Sequence, residues 1–142
     1  MSTGRGIWIC DIDGTLALHG GRGPFDWARV GEDQPNPPVV ALVRALIRDG
    51  HSVIYVSGRM EQCRAETIEW LRRHVVRHDM APLLYMRPDG DYRPDDTIKR
   101  EIYDRDIAPF HRVTGVIDDR AKVVAMWRSL GLTCVQVAEG NF

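Results

Sequence analysis

No stretch of this sequence stays apolar long enough to cross a bilayer: runs such as Val53 to Val56 and Leu83 to Tyr85 fall far short of the ~20 residues a membrane helix needs. The N-terminus, Met1-Ser2-Thr3-Gly4-Arg5-Gly6, lacks the apolar core and small-residue cleavage site of a secretory signal, so a cytoplasmic address without membrane association is the expectation. Cysteine is scarce. Cys10, Cys63 and Cys134 form neither a CxxC pair nor an even set, which argues against a disulfide framework or a zinc knuckle and for buried thiols. The five histidines, His19, His51, His74, His78 and His111, have no metal-ligand spacing and are assigned no role. Excess charge is missing too: 19 basic residues against 20 acidic leave a net charge of -1, so no global positive field gathers nucleic acid and any polymer contact must be local.

What is present is one domain's worth of chain, 1–142, with 44% hydrophobic residues, enough for one core and too little for two. Gly6-Ile7-Trp8-Ile9-Cys10-Asp11 is an apolar run ending in acid, the pattern of a parallel strand covered on both faces. Residues 16–38, rich in Gly, Pro and Asn, predict a loop or small hairpin acting as a flap. Helical spacing then runs from Val39 to Asp49 and stops at Gly50. A second strand covers His51 to Val56, a helix Glu61 to about His78, and a third strand Pro82 to Met86. A helix from Asp96 to about Asp106, a strand from Val113 to Ile117, a helix from Arg120 to Leu130 and a strand from Thr133 to Val137 follow. Alternating strands and helices predict an α/β, doubly wound, mainly parallel five-stranded sheet of Rossmann-like architecture.

In such sheets ligands sit at the carboxyl ends of the strands, where this sequence places its chemistry. Asp11-Ile12-Asp13-Gly14-Thr15 follows the first strand, Ser57-Gly58-Arg59 the second and Asp118-Asp119 the fourth, with Lys99 on the helix before it. Asp11, Asp13, Asp118 and Asp119 are hard oxygen donors, the candidate ligands for Mg²⁺; which of the last two touches the metal directly is left open. Asp11 is the candidate nucleophile, since a carboxylate can attack phosphorus to form an aspartyl-phosphate. Asp13 is the candidate acid/base. Ser57, Lys99 and nearby backbone N–H groups can hold phosphoryl oxygens.

The ordered set Asp11-x-Asp13-Gly14-Thr15, Ser57, Lys99 and Asp118-Asp119 resembles the haloacid dehalogenase superfamily of phosphotransferases. Further segments, among them Gly21-Arg22-Gly23-Pro24-Phe25-Asp26, Val56-Ser57-Gly58-Arg59 and Gly90-Asp91-x-Arg93-x-Asp95-Asp96-x-x-Lys99, resemble the 3′-phosphatase domain of bacteriophage polynucleotide kinase/phosphatase. The resemblance spans Ile7 to Phe142 and implies Mg²⁺-dependent removal of 3′-phosphates from DNA or RNA ends in nucleic-acid repair. By that resemblance Asp11 and Asp13 are catalytic, and Arg22, Arg59 and Asp95, with Arg87, Arg93 and Thr15 beside them, are substrate-binding. Relatives of the bifunctional kind carry a kinase domain, but this chain has no GxxxxGK[ST] loop, so the 5′-kinase or ligase of such a pathway is expected on a separate partner.

Only 41 residues separate Ser57 from Lys99, so no large cap domain fits between them and a strand end has room to enter. Other readings stand beside this one. Asp95 and Asp118-Asp119 could N-cap the helices that follow them. Phe25, Trp27 and Tyr92 lie in loops near the site, where one could stack on a terminal base, but the tryptophans and Tyr92 are read first as packing residues. A small-molecule phosphomonoesterase, a phospho-receiver switch and a noncatalytic end-binding module are the alternative functions. The apolar faces are fully used by the sheet, which favours a monomer.

Overall fold

The computed structural model describes residues 5–19, 22–23, 26–77 and 80–142. In chain order the elements are β1 (Ile7–Cys10), the short strands β2 (Ala17–Leu18) and β3 (Gln34–Pro35), α1 (Pro37–Arg48), β4 (Ser52–Met60), α2 (Arg64–His74), β5 (Leu83–Arg87), α3 (Asp95–Ile102), β6 (Val113–Asp118), α4 (Ala121–Ser129) and β7 (Cys134–Gln136). The main sheet has the order β5-β4-β1-β6-β7 and every pairing in it is parallel. Successive residues of a strand point to opposite faces, and this alternation divides the core of the one domain into two layers, one on each face of the sheet. Cys10, Tyr55, Leu84, Met86 and Ile117 pack with residues of α1 and α2, including Val43, Trp70 and Leu71. Ile9, Ile54, Val56 and Val116 pack with residues of α3 and α4, including Ile98, Ile102, Val123 and Trp127. Covering both faces is why the strands read as continuous apolar runs. The three cysteines are buried free thiols, and among the described residues no helix is long and apolar enough to cross a membrane.

Several boundaries differ from the sequence expectation for local physical reasons. The first helix starts at Pro37, two residues early, because proline is well suited to the first helical turn, where its missing N–H would have no partner anyway. β4 runs on to Met60 through an irregularity in its pairing with β5 between Ser57 and Met60. The next helix opens with a 3₁₀ turn over Glu61–Cys63 and ends at His74; the expected end at His78 lies outside the described residues. α3 hands over at Tyr103 to a π-helical turn through Ile107, with Ala108 N–H reaching back to the Tyr103 carbonyl.

The segment 16–38 is anchored where it is described. β2 and β3 pair antiparallel, a 3₁₀ helix covers Trp27–Glu32, and Leu16, Ala17 and Val30 are fully buried. Trp70 Nε1 donates to the Asp33 carbonyl at 2.9 Å, fixing the end of this segment on α2. Phe25, considered above as a stacking residue, lies outside the described residues.

Candidate active site

β1 sits in the centre of the sheet, and the chain leaves it first toward β4 and β5, then returns to its other side for β6 and β7. That reversal opens a crevice between the ends of β1 and β6. Asp11 N–H still bonds the Ile117 carbonyl at 3.0 Å just beyond β1, and Asp118 ends β6, so the two carboxylates meet at the crevice. Oxygens of Asp11, Asp118 and Asp119 all lie within 4.8 Å of one another. Gly14 makes the approach of Asp119 feasible: its φ is +79°, and an added Cβ would collide with the Asp119 carboxylate.

Lys99, buried on α3, points its ammonium into this group, 2.7 Å from Asp11 Oδ1, 3.1 Å from Asp118 Oδ2 and 3.6 Å from Asp95 Oδ2. The Thr15 hydroxyl lies 2.8 Å from Asp11 Oδ2 and 3.2 Å from Asp119 Oδ1. Trp127 Nε1 donates to Asp118 Oδ2 at 3.2 Å, and Asp119 N–H to Asp118 Oδ1 at 2.8 Å. Asp118 therefore caps no helix with its side chain; the residue before α4 is Arg120. Burial and the neighbouring Asp118 charge push the Asp11 carboxyl well above its ordinary range, against the opposing pull of Lys99. Burial raises Asp119 as well. Burial would lower the Lys99 ammonium, but Asp11 and Asp118 outweigh it and hold the group charged. Three carboxylates against one ammonium leave an excess of negative charge out of water. An all-oxygen set with that deficit fits a divalent cation such as Mg²⁺.

Asp13 goes elsewhere. Its carboxylate, expected among the metal ligands, is drawn away from the trio by Arg59, whose Nη2 lies 2.7 Å from Asp13 Oδ1, with Arg22 at 3.4 Å and His19 Nε2 at 3.3 Å. Behind it Asp33 accepts from both arginines, at 2.7 Å from Arg22 Nε and 2.9 Å from Arg59 Nη2, and the Thr67 hydroxyl accepts from Arg59 Nη1 at 3.0 Å. The Arg22 and Arg59 side chains are 1% and 0% exposed. Both, expected as substrate contacts, are here committed to an internal network that positions Asp13, and neither is among the residues lining the cavity. Although burial works the other way, the bond to His19 and the Arg59 charge hold Asp13 well below the ordinary carboxylate range.

Ser57, Thr15 and Lys99 are buried beneath the cavity wall, and the Ser57 hydroxyl oxygen accepts the Arg59 N–H at 3.0 Å where the pairing of β4 with β5 is irregular. Gly58 reaches the wall itself, with its carbonyl accepting from Arg87 Nε at 2.8 Å. Arg87, expected to meet substrate, braces the loop after β5: it also bonds the Asp91 and Arg93 carbonyls and pairs with Asp95. Asp95 forms no side-chain cap on α3 and instead faces Arg87 and Lys99. Arg93 is half exposed and paired with Asp91 and Glu101, both at 2.7 Å. A cavity of about 450 Å³ opens over Asp11, Asp13, Asp118 and Asp119. His19 and Asp33 were not among the expected site residues. The signal for Asp33 was indirect, since a buried arginine demands a carboxylate but does not say which one.

The model of the Polynucleotide kinase PNKP phosphatase domain matches residues 5–142. A protein of Autographa californica nuclear polyhedrosis virus, named as a candidate bifunctional polynucleotide kinase/RNA ligase, is 32% identical over 129 residues, which is 89% of this chain and 18% of the relative. Two solved structures of the Pnkp1/Rnl/Hen1 complex, one described as an RNA repair complex, contain chains similar to this one. They have TM-scores of 0.89 and 0.90 at 37% and 36% identity, and cover 96% and 100% of this chain and 44% and 49% of theirs. The chain thus spans less than half the length of these relatives. A class C acid phosphatase from Bacillus anthracis, with a TM-score of 0.62 at 15% identity, covering 99% of this chain and 70% of its own, shares the fold.

Proposed function

This chain belongs to the family of polynucleotide kinase PNKP phosphatase domains, phosphoric monoester hydrolases of the haloacid dehalogenase fold, and from that premise we propose that it removes 3′-phosphates from DNA or RNA ends through an aspartyl-phosphate. The observation that carries the reading is the contrast between two carboxylates two residues apart. Asp11 lies in the crevice with Asp118 and Asp119, its Oδ1 2.7 Å from the Lys99 ammonium, while Asp13 stands apart on the same cavity, held by Arg59 and His19. A carboxylate set among metal-ligand oxygens beside an ammonium can serve as nucleophile, and one held apart from them on the same cavity can exchange protons with the leaving group and water.

Asp11 Oδ attacks phosphorus as the bond to the 3′-oxygen breaks, and Asp13 gives that oxygen its proton. The substrate's dianion beside Asp13 favours the protonated form needed here, because like charges raise a carboxyl pKa. Water then attacks the aspartyl-phosphate, Asp13 takes the water's proton, and Asp11 and inorganic phosphate are released. Lys99 offsets negative charge at Asp11 throughout. Mg²⁺, held by Asp11, Asp118 and Asp119, would keep Asp11 ionised and draw charge from the phosphoryl oxygens. The kinase/ligase name of the viral relative and the repair complex of the solved relatives support RNA ends as substrates and a 5′-kinase and ligase as partners.

The test is phosphate release, with Mg²⁺, from matched oligonucleotides bearing a 3′- or a 5′-phosphate. Release from the 3′-end alone, lost in Asp11→Asn, is expected. Hydrolysis of a small phosphomonoester with neither oligonucleotide cleaved would overturn the polymer-end reading.

A further inference from the structure

Tyr92 was expected to pack, yet it is 82% exposed, the most exposed large apolar side chain among the described residues. An exposed ring gains nothing from burial, but the backbone that carries this one is fixed. Arg87 Nη1 bonds the carbonyls on both sides of it, Asp91 and Arg93, and the Arg93 side chain is tied at 2.7 Å to both Asp91 and Glu101. Gly90, with φ +76°, turns the chain just before it. A second exposed ring, Phe142 at 63%, is pinned in the same manner, its carbonyl 2.7 Å from Arg120 Nε and its ring 5.1 Å from the Arg120 guanidinium. Both rings line the cavity that reaches Asp11 and Asp119.

The chemistry of the floor says what meets them. A 3′-phosphate seated at Asp11 is attached to a sugar whose base is one glycosidic bond further out, toward the rim. Backbone phosphate contacts would have to draw on arginines that already have partners: Arg22 and Arg59 are buried in internal pairs, Arg87 and Arg93 are engaged, and Arg120, on the cavity wall, is bonded to Phe142. Stacking supplies what those contacts do not, and it works for any base because every base has a π-face. We infer that Tyr92, with Phe142, forms a stacking platform for the 3′-terminal nucleobase, so that the enzyme selects unpaired or frayed ends over ends stacked in a duplex. This rests on the 3′-phosphatase reading above.

The experiment compares kcat/KM on single-stranded 3′-phosphorylated oligonucleotides whose terminal nucleotide carries a base or is abasic, for the wild type, Tyr92→Ala, Tyr92→Phe and Phe142→Ala. The wild type is expected to favour the base-bearing end by roughly 5- to 150-fold, the range of one stacked base. Tyr92→Ala should bring the two substrates together, mainly through KM, Phe142→Ala should narrow the gap, and Tyr92→Phe should keep it. Because Tyr92 is exposed, an unchanged unfolding midpoint shows that Tyr92→Ala is folded. A wild type indifferent to the terminal base, or a Tyr92→Ala enzyme that still discriminates fully, overturns the platform while leaving the phosphatase reading intact. No release from any 3′-phosphorylated end by the wild type overturns the phosphatase reading and the platform with it.

Discussion

Arg59 is a buried side chain that acts with His19 to hold its neighbour Asp13, against the effect of burial, below the ordinary carboxylate range. Its guanidinium serves Asp13, Asp33 and Thr67 with no exposed surface of its own. Arg59→Ala is expected to cost about 3–5 kcal/mol, because the buried Asp33 loses one of the two guanidiniums that balance it, and to raise the Asp13 pKa; urea unfolding and the acid limb of the pH–rate profile check the two effects. Arg59→Lys should not rescue it, since an ammonium cannot reproduce the planar fork that reaches three partners. At Gly14, Ala adds about 1–2 kcal/mol of left-handed backbone strain. It also pushes against the Asp119 carboxylate, and displacing that group by ~1 Å lowers kcat on the order of 10²-fold. Steady-state kinetics of Gly14→Ala, with an intact circular dichroism spectrum, would show it.

Elements carry these residues into register. β1 and β6 deliver the acids, α3 brings Lys99 in from one face of the sheet, and the segment between Thr15 and Val39 brings Arg22 and Asp33 in beside Asp13. That segment is tied down twice, by Asn36 Nδ2 on the Thr15 carbonyl at 2.9 Å and by Trp70 Nε1 on the Asp33 carbonyl at 2.9 Å. Trp70→Phe keeps most of the buried ring and leaves that carbonyl without its donor, so a stability loss of about 1–3 kcal/mol is expected. Thermal unfolding and turnover measured together test whether activity follows the anchoring of Asp33.

Across the whole molecule, the acids make stability depend on pH in opposite senses. Asp13 is depressed when folded, so it stabilises above the ordinary carboxyl value of about 4 and the contribution is lost as pH falls. Asp11 is raised; ionised, it costs stability, and acidification from neutrality toward that ordinary range restores it. Without divalent cation, the wild type is therefore expected to gain stability on mild acidification relative to Asp11→Asn, and to lose it at lower pH as Asp13 is protonated. A divalent cation held by the same carboxylates would take the place of the proton, so the gain should vanish with Mg²⁺ bound there, with about 2.7 kcal/mol of added stability expected at 100-fold excess over Kd. Unfolding midpoints against pH, with Mg²⁺ or with chelator, would reveal both.

The strand-and-helix order, the parallel sheet and the buried thiols were legible in the sequence because they depend on periodicity and on local stops such as Gly50, which act within a few residues. The crevice acids were legible because each follows its strand directly. The surroundings of the arginines were not: Arg22 and Arg59 read as ligands, and nothing local in the sequence shows that Asp33, 11 and 26 residues away, pairs with both. Nor could sequence show that Arg87 immobilises the loop around an exposed Tyr92, or that His19 reaches Asp13. An element's own residues set its type and its buried face, whereas the partner of a charged side chain depends on which elements the fold brings together, and only the tertiary structure decides that.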